Sequence, residues 1–286
     1  SKTYPASGNS LSIKNQFGDV KIVLWDRNEI KVDIHIEASS TNKEGAERDF
    51  EKIDVKDAQN GSNISFVTSF SKDKENKSFS CNNCSNTLHI DYTVSMPANN
   101  KLSIENSFGD ITIQDYKGPV KLESRYGSLT AGKMDNLERL EVEFGKANLK
   151  YLDNADVTFK YSTINIETLS GANTINMEFC HYSKINLSSD LTSLKLNDSY
   201  SMVHLRPAPG FSASYSVSTS YGSFVDKTGS IVRTDKDDEY GFNTNKRYEG
   251  KTGSGAAKVT VSSSFGKVMI GEGAKEDMKE KKKVRT

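Results

Sequence analysis

Three short phrases constrain this chain more than its composition does. Residues 13–22 read IKNQFGDVKI, residues 104–113 read IENSFGDITI and residues 261–270 read VSSSFGKVMI. Aligned on the aromatic residue, copies centre on Phe17, Phe108, Tyr126, Phe144, Tyr161, Tyr182, Tyr200, Tyr221 and Phe265. The next residue is always small: Gly18, Gly109, Gly127, Gly145, Ser162, Ser183, Ser201, Gly222 and Gly266. Three positions after the aromatic the side chain is apolar in every copy, and five after it is apolar except at Asp226. Four before, it is apolar except at Glu178. This alternation is the period of a strand. A small residue beside the aromatic suits a corner that a neighbouring layer approaches closely. Each copy reads as strand, corner, strand.

Spacing sets the architecture. From Phe108 to Tyr221 the copies lie 18, 18, 17, 21, 18 and 21 residues apart. A near-constant period of this size marks a solenoid, whose coils stack at the ordinary interstrand distance of roughly 4.8 Å. The predicted fold is all-β: a single-stranded β-helix, or β-solenoid, of about 18–19 residues per coil. Its aromatics are expected to stack inside. An antiparallel sandwich would also alternate, but it does not require a small residue at one fixed phase through nine copies.

The rest divides around this core. Residues 1–100 carry one copy and a β-rich section, with a capping helix expected near 42–53 from Thr41 or Asn42 and the shared face of Ala46, Phe50 and Ile53. Coils follow over 101–226, a long polar loop and the final repeat over 227–273, and a charged tail over 274–286. Only 35% of residues are hydrophobic and mean hydropathy is -0.62, which fits β structure with one wet face. Lys plus Arg and Asp plus Glu both number 38, so no net charge draws the chain to nucleic acid. No apolar run is long enough to span a membrane. The chain starts at SKTYPASGNS without Met, and an upstream segment is expected to have been removed.

These features, in the order NQFGDVKIVLWDRNEIKV, DYTVSMPANNKLSIENSFGDITI, YGSL, FGKANL and GKTGSGAAKVTVSSSFGKVMI, resemble the putative-adhesin family of bacterial β-strand-repeat proteins over residues 3–273. The resemblance implies an exported cell-envelope protein, periplasmic or on the surface. It implies no catalytic residues and no cofactor.

The residues themselves offer little chemistry. Asp19 and Asp110 follow corners and read as acceptors of backbone N–H groups. Two after the aromatic the successive coils give Asp110, Ser128, Lys146, Thr163, Lys184 and Met202, and neither this outward column nor the one four after stacks acids on adjacent coils. The column four after the aromatic, Thr112, Thr130, Asn148, Asn165, Asn186 and His204, reads as an outer polar ladder. His35, His89 and His181 join no motif. Cys81 and Cys84 form a CxxC in a polar loop. A local disulfide is the simplest reading, with free thiols or half a zinc site as alternatives. Cys180 reads as a small buried apolar residue. The expected function is therefore a non-enzymatic binding scaffold for carbohydrate or an envelope protein. A structural or regulatory envelope component is the alternative, and a carbohydrate-active enzyme the remoter one.

Overall fold

Alternation of apolar and polar residues produces strands throughout. In the strand Leu102–Ser107, Leu102, Ile104 and Asn106 are buried while the residues between them meet solvent. The computed structural model describes residues 1–40, 50–70, 86–235 and 244–278, and these are all-β. The chain forms two compact units, Ser1–Arg139 and Leu140–Thr286.

In each unit, short parallel strands stack in register, and each layer is two strand segments joined by an aromatic corner. In the second unit Leu140 pairs with Val157, Val157 with Ile175, and Ile175 with Leu196. Past the corner, Leu149 pairs with Ile166, Ile166 with Ile185, and Ile185 with Leu205. The long strands Thr163–Glu178 and Tyr182–Ser199 each leave one layer and enter the next. The core is the set of inward ladders: Leu140, Val157, Ile175, Leu196 and Val261 are all 1% exposed or less.

Layer order departs from chain order in both units. In the first, the strand Ser10–Gln16 lies between Asn63–Phe70 and Leu102–Ser107, and Val20–Leu24 lies between Asn86–Met96 and Ile111–Ile113. In the second, Ala257–Ser264 lies between Tyr182–Ser199 and Ala213–Ser220, and Lys267–Ile270 between Met202–Pro207 and Ser223–Asp226. The final repeat is thus inserted as the penultimate layer. Antiparallel strands close the stacks: Ile53–Asn60 on Asn63–Phe70 and Glu29–Ser40 on Asn86–Met96 in the first unit, Asn245–Thr252 on Ala213–Ser220 in the second. Such closure shields edges that would otherwise template pairing with other chains.

Several expectations change. Of the capping helix near 42–53, residues 41–49 lie outside the described part. Phe50 is 51% exposed rather than packed, and Ile53 already opens a strand. Among the described residues helix is confined to Phe50 and Glu51, just before that strand, and to the 3-10 turn Lys275–Met278, whose Met278 is buried. The aromatics do not stack inside. The corner rings are 38–63% exposed and stack on the outside of the layers. The small residue beside each ring is the less exposed partner, fully buried at Gly18, Ser162, Cys180, Ser201 and Gly266.

Backbone geometry explains why. Among the described residues, every non-glycine residue with positive φ is a corner aromatic except Asn154. That conformation turns the ring outward and the following residue inward. A Cβ on Gly109 would lie 2.0 Å from the Gly18 carbonyl oxygen, and one on Gly127 2.0 Å from that of Gly109. Glycine is required here by close approach of two backbones, since these glycines do not have positive φ. Where serine stands instead, its hydroxyl bonds into the corner. Ser162 Oγ donates to the Lys160 carbonyl at 2.6 Å and accepts the Gly145 N–H at 3.1 Å.

Replacing Gly109 with alanine should therefore lower stability by about 1–3 kcal/mol, the usual cost of overpacking, read as a shifted denaturation midpoint of the full chain. A change within about 0.5 kcal/mol, normal for a surface position, would show that the corners are not tightly stacked.

Candidate functional site

The corner rings form one ladder in each unit. In the first, Phe17 stacks on Phe108 at 5.0 Å and Phe108 on Tyr126 at 4.8 Å, with Phe70 edge-on to Phe17 at 5.5 Å. In the second, Phe144, Tyr161, Phe179, Tyr200, Phe265 and Tyr221 stack in that order, with centroids 4.6–5.1 Å apart.

Phe179, not Tyr182, is the rung between Tyr161 and Tyr200. The corner residue beside it is Cys180, which is buried and accepts no strain from φ. Burial pushes its thiol pKa up. Ser183 is therefore not a corner. It lies inside the strand, and its Oγ accepts the Ile164 N–H at 3.2 Å. The copy holds an extra residue, so Tyr182 pairs with Met202. A signal was present: aligned on Phe179, the residue four before becomes Ile175, and the Glu178 exception disappears.

That extra residue also breaks the expected outer ladder. Thr112 and Thr130 pair in the first unit, and Asn148 and Asn165 in the second. The column then runs to Lys184 and His204, while Asn186 pairs with Arg206. His204 is not on the outside at all, being 1% exposed. Its Nε2 donates to the Gly271 carbonyl at 2.8 Å, so its Nδ1 accepts from the Tyr182 hydroxyl at 2.8 Å. Burial holds its pKa below the ordinary imidazole value. Residues 271–278 cover it, pinned by Arg206–Glu272 at 2.7 Å and Lys227–Asp277 at 3.2 Å.

Layer order also stacks acids that chain order separates. Asp91, Asp19 and Asp110 occupy one column on three adjacent strands. Asp91 Oδ1 accepts the Asp19 N–H at 2.8 Å, Asp19 Oδ1 that of Asp110 at 2.8 Å, and Asp110 Oδ1 that of Ser128 at 2.7 Å. Each carboxylate thus braces the next corner. His35 and Asp91 pair across Glu29–Ser40 and Asn86–Met96, as do His89 and Glu37. Among the described residues no cluster of three His, Cys, Asp or Glu side chains could hold a metal. Cys81 and Cys84 lie outside the described residues.

The outward faces of the strands that enter the corners differ between units. In the first, ion pairs link layers: Lys14 with Glu105 at 2.9 Å and Arg139 with Glu123 at 2.9 Å. In the second, a groove of about 440 Å³ runs beside the ring ladder, lined by Thr158, Asn176, Asn197 and Ser262 in one column and Lys160, Glu178, Ser199 and Ser264 in the next. Asn197 Nδ2 donates to Asn176 Oδ1 at 2.9 Å, and Asn176 Nδ2 to Asp156 Oδ1 at 3.3 Å. A second groove of about 580 Å³, lined by Thr174, Lys195, Lys258 and Thr260 among others, adjoins the same strands.

Beneath this face sits one buried carboxyl. Asp198, 6% exposed, adjoins Ser263, which adjoins Thr219. Burial pushes the Asp198 pKa up to about 6, against the Ser201 N–H, which donates to its Oδ1 at 3.1 Å and favours the charged form.

No family model matches the chain, and no curated protein matches it. A crystal structure of a "putative cell adhesion protein" from Clostridium sporogenes, at 1.95 Å resolution, aligns over 95% of this chain and 97% of its own. Identity is 13% and the TM-score is 0.25.

Asp198 carries a testable sign. Its folded pKa exceeds the ordinary value, so the unfolded chain loses that proton first as pH rises. The associated stability is fully present below about pH 4 and is lost as pH rises through about 6. Relative to Asp198→Asn, the wild type should lose about 2 kcal/mol between pH 4 and 7, measured by chemical denaturation. Parallel pH profiles for the two proteins would contradict this.

Proposed function

We propose that this chain is a single-stranded β-helix of the bacterial cell envelope that acts as a non-enzymatic, adhesin-like scaffold holding carbohydrate or protein on its outward columns. Parallel registers spaced 17–21 residues apart in the second unit support the β-helix reading, although two repeats are inserted out of chain order. The family resemblance in the repeat phrases supports the envelope assignment. The scaffold reading rests chiefly on the second unit's face, where side chains of matching chemistry recur layer after layer beside an exposed aromatic ridge. A regular array of this kind presents many weak contacts at fixed spacing, which sum through multivalency. The acids stacked in the first unit serve backbone N–H groups, which fits a structural role.

The test is a glycan array together with a panel of purified envelope proteins, probed with the wild type and with Asn176→Ala/Asn197→Ala. Reproducible binding to at least one ligand, weakened in the variant, is expected. Binding to neither set, or turnover of a polysaccharide abolished by a single carboxylate substitution, would overturn the reading.

A further inference from the structure

The groove beside the second unit's ring ladder has a chemistry that selects among ligands. Its central column is Thr158, Asn176, Asn197 and Ser262, four uncharged hydrogen-bonding side chains on four adjacent strands. Hydroxyl and primary amide groups both donate and accept, as sugar hydroxyls do. The Asn197 to Asn176 and Asn176 to Asp156 bonds fix the two amides before any ligand arrives, which lowers the ordering cost of binding. Beyond the column of Lys160, Glu178, Ser199 and Ser264 comes the ridge of Tyr161, Phe179, Tyr200 and Phe265, whose faces are stacked on one another. Charge at the groove is mixed, with Lys160 and Glu178 in neighbouring layers of one column. That balance gives no advantage to a polyanion.

The column is straight and repeats once per layer, near the interstrand distance of about 4.8 Å. A β-1,4-linked pyranose chain is a straight ribbon whose units advance by nearly that step. An α-1,4-linked glucan curves away from such a line. We propose, building on the scaffold reading above, that this groove binds an uncharged β-1,4-linked glycan laid along the stacking direction, one sugar per layer across Thr158, Asn176, Asn197 and Ser262. Its equatorial hydroxyls meet the amides and hydroxyls of that column.

The full chain is titrated calorimetrically with cello- and chito-oligosaccharides of two to six units, and with polygalacturonate as the acidic comparison. Affinity for one of the neutral series should rise with length and level off near four units, the number of layers in the column. It should change less than about twofold between low and high salt, because no charge is paired. Asn197→Ala and Ser262→Ala should each weaken it about tenfold, the worth of one good hydrogen bond. Asn148→Ala, on the strand past the corner, should leave it unchanged. All three positions are outward, and an unchanged melting temperature verifies that the variants fold. Absence of binding to both neutral series, preference for polygalacturonate, or binding indifferent to Asn197→Ala and Ser262→Ala would each overturn this assignment. In those cases a ligand found on the array or among the envelope proteins would leave the scaffold reading standing.

Discussion

The contact between one corner's backbone and the next is the constraint from which the rest of the structure follows. At Gly109 and Gly127 a carbonyl of the neighbouring layer occupies the space a Cβ would need. The small residue can turn inward only if the residue before it takes positive φ, and nine aromatics do so. For L-residues that conformation costs about 1–2 kcal/mol each. Ring stacking offsets part of it, at about 0.5–1.5 kcal/mol per pair. A lone aromatic corner would gain nothing from its strain; stacked in register, each ring gains one or two partners.

Register then propagates to the side-chain columns. Because corners lock layers at a common phase, identical positions face one another across strands, and their chemistry accumulates. Inward columns become the apolar core. The Asp91, Asp19 and Asp110 column becomes a run of braces, each carboxylate holding the next corner's N–H. In the second unit, the columns entering the corners become a polar groove beside a ridge of stacked rings. The functional reading depends on this accumulation.

Much of this was legible in the chain. The phase of the repeat, the small residue after the aromatic and the two-residue alternation follow directly from hydrophobic pattern and glycine placement. The direction of the rings was not legible, because stacking inside and stacking outside place aromatics at the same period. Backbone φ decides between them. The Phe179 rung was misplaced because Tyr182 also precedes a serine and an apolar alternation, and one extra residue shifts the frame. The polar groove lies on the strands that enter the corners, whereas the Thr and Asn phrases that stand out in the sequence lie past them, on the side where His204 is covered by residues 271–278. The Asp column escaped notice for a different reason. Copies adjacent in space are not adjacent in sequence, and no local pattern announces an inserted layer.

Insertion of residues 257–270 between the layers of 194–205 and 213–226 is the central topological claim. Cysteine pairs on the outward column test it directly, in a background where Cys81, Cys84 and Cys180 are serine. Lys195 and Thr260 are register partners, as are Thr260 and Ser216. Neighbouring parallel strands bring their Cα atoms within disulfide range, about 4.4–6.8 Å, whereas strands two apart do not. The account predicts oxidative crosslinking of the 195/260 and 216/260 pairs in the monomer and none of the 195/216 pair. Efficient 195/216 crosslinking, with loss of the other two, would place the last repeat outside the stack and contradict it.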